Sequence, residues 1–301
     1  MKNGHTQPRL ALMRSLLFVP GDSERKLEKA LGSDADVLIV DLEDSVAIAA
    51  KDDARRVAAA FIASRQAEAA AALYVRVNDL STGLTEDDLA AMMPAHPLGV
   101  MLPKSSSGDD VMLLSAMLRV HEARHGIEDG ATRIIPIITE TAMGVLSAAS
   151  YRNTTPRLAG LTWGAEDLSA AVGARSARDG DGRYTDLFRH ARTMTLLAAS
   201  AAGVPAIDTV YPDFGNETGF RTECGEAERD GFTAKMAIHP AQVAPINEVF
   251  TPSSEAVAQA EKVVAAFRAA GDPGVLAIDG KMYDRPHLRL AERILQRVGR
   301  G

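Results

Sequence analysis

Short apolar runs recur along this chain, and most of them end in a polar or charged residue at the same relative place. Leu16–Val19 runs into Pro20-Gly21-Asp22, Val37–Val40 into Asp41-Leu42-Glu43-Asp44, and Leu73–Val77 carries Arg76. Gly99–Leu102 runs into Pro103-Lys104, Ile134–Ile138 into Thr139-Glu140, and Leu161–Trp163 into Gly164-Ala165-Glu166-Asp167. Ala206-Ile207 meets Asp208, and Met236–Ile238 meets His239-Pro240. Helix-like stretches separate the runs. Strands alternating with helices imply a parallel sheet. Eight such units close into a (β/α)8 TIM barrel, whose chemistry gathers at the C-terminal ends of the strands. The same pattern therefore predicts an α/β fold and a shortlist of site residues.

A length of 301 residues suits one barrel with a C-terminal extension. The net charge of −7 argues against non-specific nucleic-acid binding, though it leaves room for a local basic pocket. A single cysteine, Cys224, excludes an internal disulfide and fits a reducing compartment. No apolar stretch approaches a membrane span, and the first residues lack the apolar core of a signal peptide. The expected location is cytoplasmic.

Met1–Met13 reads as a loose tail, residues 14–250 as the catalytic barrel, and residues 251–301 as a helical extension. Helices are predicted over Glu24–Leu31 (with Asp22 or Ser23 as cap), Lys51–Ile62, Leu84–Met93, Asp109–His125, Thr141–Ser150, Asp186–Ala202, Glu223–Arg229 and Ala241–Phe250. Gly173–Tyr184, rich in Gly, Asp and Arg, is a candidate lid on the catalytic side. In the extension, Ser253–Ala270 and Pro286–Val298 read as helices around a short apolar segment, Val275–Asp284. A plain barrel does not need this extension, so it packs on its own barrel or reaches a neighbouring subunit.

Glu140 and Asp167 end neighbouring predicted strands. Two carboxylates side by side in a barrel mouth repel unless a cation lies between them, and hard oxygen ligands with room for water and substrate suit Mg2+. The plainer reading is that each stabilises the N-terminus of the helix that follows it. Arg76 points either to solvent or into the mouth, where its planar fork suits a carboxylate or an enolate. Asp41, Glu43 and Asp44 could hold Arg76 or bind metal-bound waters, against helix capping by Asp44 and Ser45. His121-Glu122-Ala123-Arg124-His125 matches the zinc-protease pattern H-E-x-x-H. It falls in the last turns of a helix that runs away from the catalytic face, with no third ligand apparent, so that use is rejected.

Nine stretches, in order and spanning nearly the whole chain, resemble the citrate lyase β-subunit-like branch of the HpcH/HpaI aldolase superfamily. They are RSLLFVPGD (Arg14–Asp22), VDLEDSV (Val40–Val46), VRVN (Val75–Asn78), LPK (Leu102–Lys104), ITETAMGV (Ile138–Val145), WGAEDL (Trp163–Leu168), AIDTVY (Ala206–Tyr211), GFTAKMAIHPAQV (Gly231–Val243) and DGKMYDRPH (Asp279–His287). The resemblance implies a Mg2+-dependent barrel, a homotrimer or a multiple of trimers, acting on acyl-CoA or acyl-carrier thioesters. Glu140 and Asp167 would bind Mg2+ and Arg76 would contact substrate. Asp279 would reach an adjacent subunit's site as acid/base. The implied reaction is cleavage of a 3-hydroxyacyl-CoA, such as malyl-CoA or citramalyl-CoA, into acetyl-CoA and a 2-oxo acid. The alternatives are a malyl-CoA thioesterase, the β subunit of a citrate lyase complex, and a CoA-independent pyruvate aldolase. CoA phosphates would need cations at the rim, for which Arg14, Arg25, Lys29 and Lys235 are candidates.

Overall fold

The computed structural model describes residues 13–300. The chain divides into two compact units, Met13–Glu248 and the residues from Val249 onward. In the first unit, each of eight strands is followed by helical structure. They are β1 (Ser15–Pro20) and α1 (Glu24–Leu31), β2 (Val37–Asp41) and α2 (Lys51–Arg65), β3 (Ala72–Arg76) and α3 (Thr85–Met92), β4 (Gly99–Leu102) and α4 (Gly108–His125). There follow β5 (Arg133–Pro136) and the short α5 (Ala142–Leu146), then β6 (Leu161–Thr162) with α6 (Ala165–Val172) and α7 (Asp186–Ala202). The last two pairs are β7 (Ala206–Asp208) with α8 (Glu217–Asp230), and β8 (Ala234–Ala237) with α9 (Val243–Phe250).

The strands are parallel in the order β5-β4-β3-β2-β1-β8-β7-β6. Bridges Ile134↔Leu158 and Ile137↔Thr162 join the two ends of that order and close the barrel. Alternate residues face inward, as the period of two in a strand demands. Leu16, Val37, Ile39, Tyr74, Met101, Ile135, Ile207, Ala234 and Met236 fill the interior. The same alternation turns Asp41 and Arg76, two residues beyond Ile39 and Tyr74, inward at the mouth. Met13, expected in the loose tail, packs against this interior; the rest of that tail lies outside the described residues.

The second unit is built on α10 (Ser254–Ala269) and α11 (Arg285–Arg297), with an antiparallel pair between them, β9 (Val275–Ile278) and β10 (Lys281–Asp284). Val257, Ala260, Val264, Phe267, Leu288 and Leu295 form its own apolar core. The segment read as merely apolar is thus a hairpin. Its turn, Asp279-Gly280, has positive φ at both residues (51° and 75°), the backbone that two-residue hairpins require. Among the described residues no helix is long and apolar enough to cross a membrane.

Candidate active site

The mouth of the barrel gathers seven charged side chains. Arg76 lies across it with its Nε and Nη2 each 2.6 Å from an oxygen of Asp41. Its Nη1 is 2.9 Å from Glu43, and its guanidinium stacks 4.8 Å from the centre of the Phe18 ring. Burial works to raise the Asp41 pKa. The bidentate bond and charge of Arg76, with the N–H groups of Ser45 and Glu43, overcome it and hold the carboxyl below its ordinary range. Asp44, 57% exposed, faces Arg76 at 3.9 Å and does not cap a helix. Helix α2 starts only at Lys51, after a turn at Ile48–Ala50, so the capping reading of Asp44 and Ser45 is corrected.

Glu140 is buried, and its Oε2 accepts a 2.5 Å hydrogen bond from the Lys104 N–H. Burial, then the nearby Asp167 charge, push its pKa up to about 8. The capping reading of Glu140 fails on geometry, because Thr141 caps α5 by accepting from the Gly144 N–H. Asp167 sits in the first turn of α6, where the helix dipole favours it. Its carboxylate is 3.3 Å from Lys104 Nζ. Gly164 makes room for Glu140: a Cβ there would lie 2.6 Å from Glu140 Cγ.

Lys104 went unassigned at the sequence level, although Pro103-Lys104 follows a strand at the mouth. Its backbone is left-handed (φ 51°), uncommon for any residue that carries a Cβ, and such strain gathers at functional positions. The ammonium pairs with Glu43 and lies 3.4 Å from Asp44.

A divalent cation fits this donor set. Glu140 and Asp167 supply two hard oxygens from adjacent strand ends, and burial leaves Glu140 poorly solvated. Glu43 Oε2 is buried without an aligned hydrogen bond. Among the described residues no three His, Cys, Asp or Glu side chains converge into a closed cage. Water and substrate would complete the shell, which is the habit of Mg2+.

Two proposed rim cations are corrected. Lys235 is fully buried, held 2.7 Å from Asp208 and 2.9 Å from Glu223. Its neighbours Ala234 and Met236 face the barrel interior, so Lys235 faces the helix layer instead. Arg14 precedes β1, at the end of the barrel opposite the mouth, and its guanidinium grips Asp36 at 2.8 Å. Arg25 and Lys29 are exposed on α1, which begins at the mouth. Asp279 belongs to the second unit, where it pairs with Lys262. The segment Gly173–Tyr184 is pinned: Arg178 bonds Glu223 at 2.6 Å and stacks 3.9 Å over Tyr184, which meets Trp163 edge-on. In the H-E-x-x-H stretch, Glu122 is occupied by Arg157 (2.5 and 2.6 Å) and by the Gly130 and Thr132 N–H groups.

Residues 14–240 match the family HpcH/HpaI aldolase/citrate lyase. The (3S)-malyl-CoA thioesterase of Cereibacter sphaeroides is 36% identical over 293 residues, 95% of this chain and 94% of that protein. The mitochondrial citramalyl-CoA lyase of Rattus norvegicus is 33% identical over 294 residues, 94% of this chain and 85% of that protein. The crystal structure of CitE from Mycobacterium tuberculosis in complex with magnesium, acetoacetate and coenzyme A superposes with a TM-score of 0.76. It is 35% identical and covers 97% of this chain and 100% of that one. With its closed parallel barrel and an acidic mouth at the strand ends, this chain belongs to the HpcH/HpaI aldolase/citrate lyase family.

Proposed function

We propose that this protein is a Mg2+-dependent carbon–carbon lyase that cleaves a 3-hydroxyacyl-CoA of the malyl or citramalyl type into acetyl-CoA and a 2-oxo acid. The observation that carries the reading is the convergence of Glu140, Asp167 and Arg76 on one barrel mouth, joined through Lys104, Glu43 and Asp41. Mg2+ held by Glu140 and Asp167 would act as a Lewis acid toward the hydroxyl and carboxylate of the substrate.

The chain's own groups do the rest. Asp41 locks two nitrogens of Arg76 from behind, which fixes the plane of the guanidinium. Nη1, turned to Glu43 in this structure, is the nitrogen free of Asp41 and suited to a developing oxyanion. When the hydroxyl proton passes to solvent water and the C–C bond breaks, the oxygen's electron pair forms the carbonyl of the 2-oxo acid and the C–C pair moves into the thioester carbonyl as an enolate. The resulting enolate lies where Arg76 can stabilise it. Protonation at carbon then gives acetyl-CoA, and Asp279 from a neighbouring copy is the proposed acid. This assigns the second unit to assembly as a homotrimer or a multiple of trimers. Arg25 and Lys29 remain the proposed contacts for CoA phosphates.

Thioester hydrolysis is a second reading, favoured by the similarity to a malyl-CoA thioesterase. Product analysis by mass spectrometry separates the two, with malyl-CoA and citramalyl-CoA each given to the protein with Mg2+ or with EDTA. Acetyl-CoA with glyoxylate or pyruvate, lost in EDTA, is the expected result. Free CoA with the intact hydroxy acid would make it a thioesterase, and turnover undiminished in EDTA would overturn the metal-dependent mechanism.

A further inference from the structure

Lys104 touches both proposed metal ligands, and it does so with different groups. Its backbone N–H takes one oxygen of Glu140, while its ammonium lies 3.3 Å from Asp167. The left-handed backbone lets both ends reach the same site. The ammonium has two other anchors, Glu43 and Asp44, both from the loop after β2. The side chain is 27% exposed, so it is reachable and has room to move.

We propose that Lys104 is the built-in counter-cation of this mouth: without metal its ammonium stands among Glu43, Asp44 and Asp167, and an incoming divalent cation displaces it from Asp167 toward Glu43 and Asp44. The inference rests on the Mg2+ reading above. Without Lys104, the Glu43, Asp44 and Asp167 carboxylates gathered around its ammonium would lose that compensating charge in the metal-free protein, and like charges at close range repel strongly. With metal bound, the same lysine is a positive charge beside a doubly positive ion. Lys104 therefore protects the metal-free fold and weakens metal binding. It is a positioning residue that keeps the ion exchangeable.

The test is calorimetric titration of Mg2+ into wild-type and Lys104→Met protein, paired with melting curves in EDTA and in saturating Mg2+. Removing the charge should tighten Mg2+ binding by about tenfold, lower the melting temperature in EDTA, and enlarge the stabilisation that Mg2+ gives. Equal affinity and an equal Mg2+-induced shift in both proteins would overturn the inference. Mg2+ binding to neither would instead overturn the metal reading itself. A second measurement needs no variant: in wild-type protein labelled with 15N at the lysine amines and assigned through the side chain, the Lys104 signal should move in step with Mg2+ saturation. A signal that stays fixed while Mg2+ binds would contradict the displacement.

Discussion

Two charged clusters lie in the same barrel and obey opposite rules. Behind the sheet, Asp208, Glu223 and Asp230 meet Lys235, Arg178 and Arg192, three carboxylates against three cations. Trp163 Nε1–H gives Asp208 a further 2.8 Å bond. At the mouth, five carboxylates (Asp41, Glu43, Asp44, Glu140 and Asp167) meet Arg76 and Lys104, and the Lys51 ammonium, held by the Leu42 and Glu43 carbonyls, adds a third positive charge near Asp41, Glu43 and Asp44. The first cluster is closed and balanced, so it serves the fold. The second carries surplus negative charge in a partly open site, and such a surplus is worth keeping only if something positive comes and goes.

The largest expected effects lie at the mouth. Glu140→Gln and Asp167→Asn should each lower metal-dependent lyase turnover on the order of 10³-fold or more. Above about pH 8, where Glu140 is charged in the metal-free protein, both should leave it as stable as wild type or more so, since each then removes a repelling charge. Melting curves in EDTA check the second half; a large loss of stability would mean that the mouth is as balanced as the cluster behind the sheet. Arg76→Met should cost roughly 10²–10³-fold in turnover. It should also cost stability, because Asp41 loses its bidentate partner.

Lys235→Met reverses the pattern. It leaves Asp208 and Glu223 buried without their ammonium and should destabilise the fold by about 3–5 kcal/mol, read from denaturant unfolding. Per folded molecule, turnover should stay close to that of wild type. The two clusters also differ in the sign of their pH response. The Glu140 carboxyl, pushed from 4.5 to about 8 by burial and Asp167, keeps its proton in the folded chain after the unfolded chain has lost it. Stability of the metal-free protein should therefore fall as pH rises from about 4.5 to about 8. Asp208 behaves the other way. Burial alone would raise its pKa from 3.8, but Lys235 and Arg192 hold it lower. Its contribution is present above that value and is lost as pH falls below it. Melting curves at stepped pH resolve the two. The smallest effect belongs to Arg178→Met, which unties Gly173–Tyr184 from Glu223 at a cost of about 1–2 kcal/mol and should speed proteolysis within that segment.

The barrel was legible because parallel strands buried on both faces write themselves as short apolar runs. Glu24–Leu31, Gly99–Leu102 and Asp186–Ala202 match the structure to the residue. Errors came where caps and turns decide. Helix α8 begins at Glu217 rather than Glu223, because Asn216 caps it through the Gly219 N–H while Thr218 and Gly219 hide the helical period. Helix α6 lay unread in eight residues between Gly164 and Gly173. The hairpin turn at Asp279-Gly280 carried a signal that was passed over. At the mouth, carboxylates and Arg76 were legible from strand-end position. Lys104 was not, because its importance lies in a left-handed backbone and in contacts from three other loops. Lys235 was misplaced because a lysine in a sequence suggests surface. The alternation with inward Ala234 and Met236 turns it toward the helices, and only the third dimension shows that Asp208 and Glu223 await it there.

The most direct test of the central claim is to titrate metal-free protein with Mn2+ as a spectroscopic substitute for Mg2+ and count bound ions by electron paramagnetic resonance. The account predicts one ion per chain, displaced by Mg2+ and absent from the Glu140→Gln, Asp167→Asn double variant. Uptake that survives in the double variant, or none in the wild type, would contradict it.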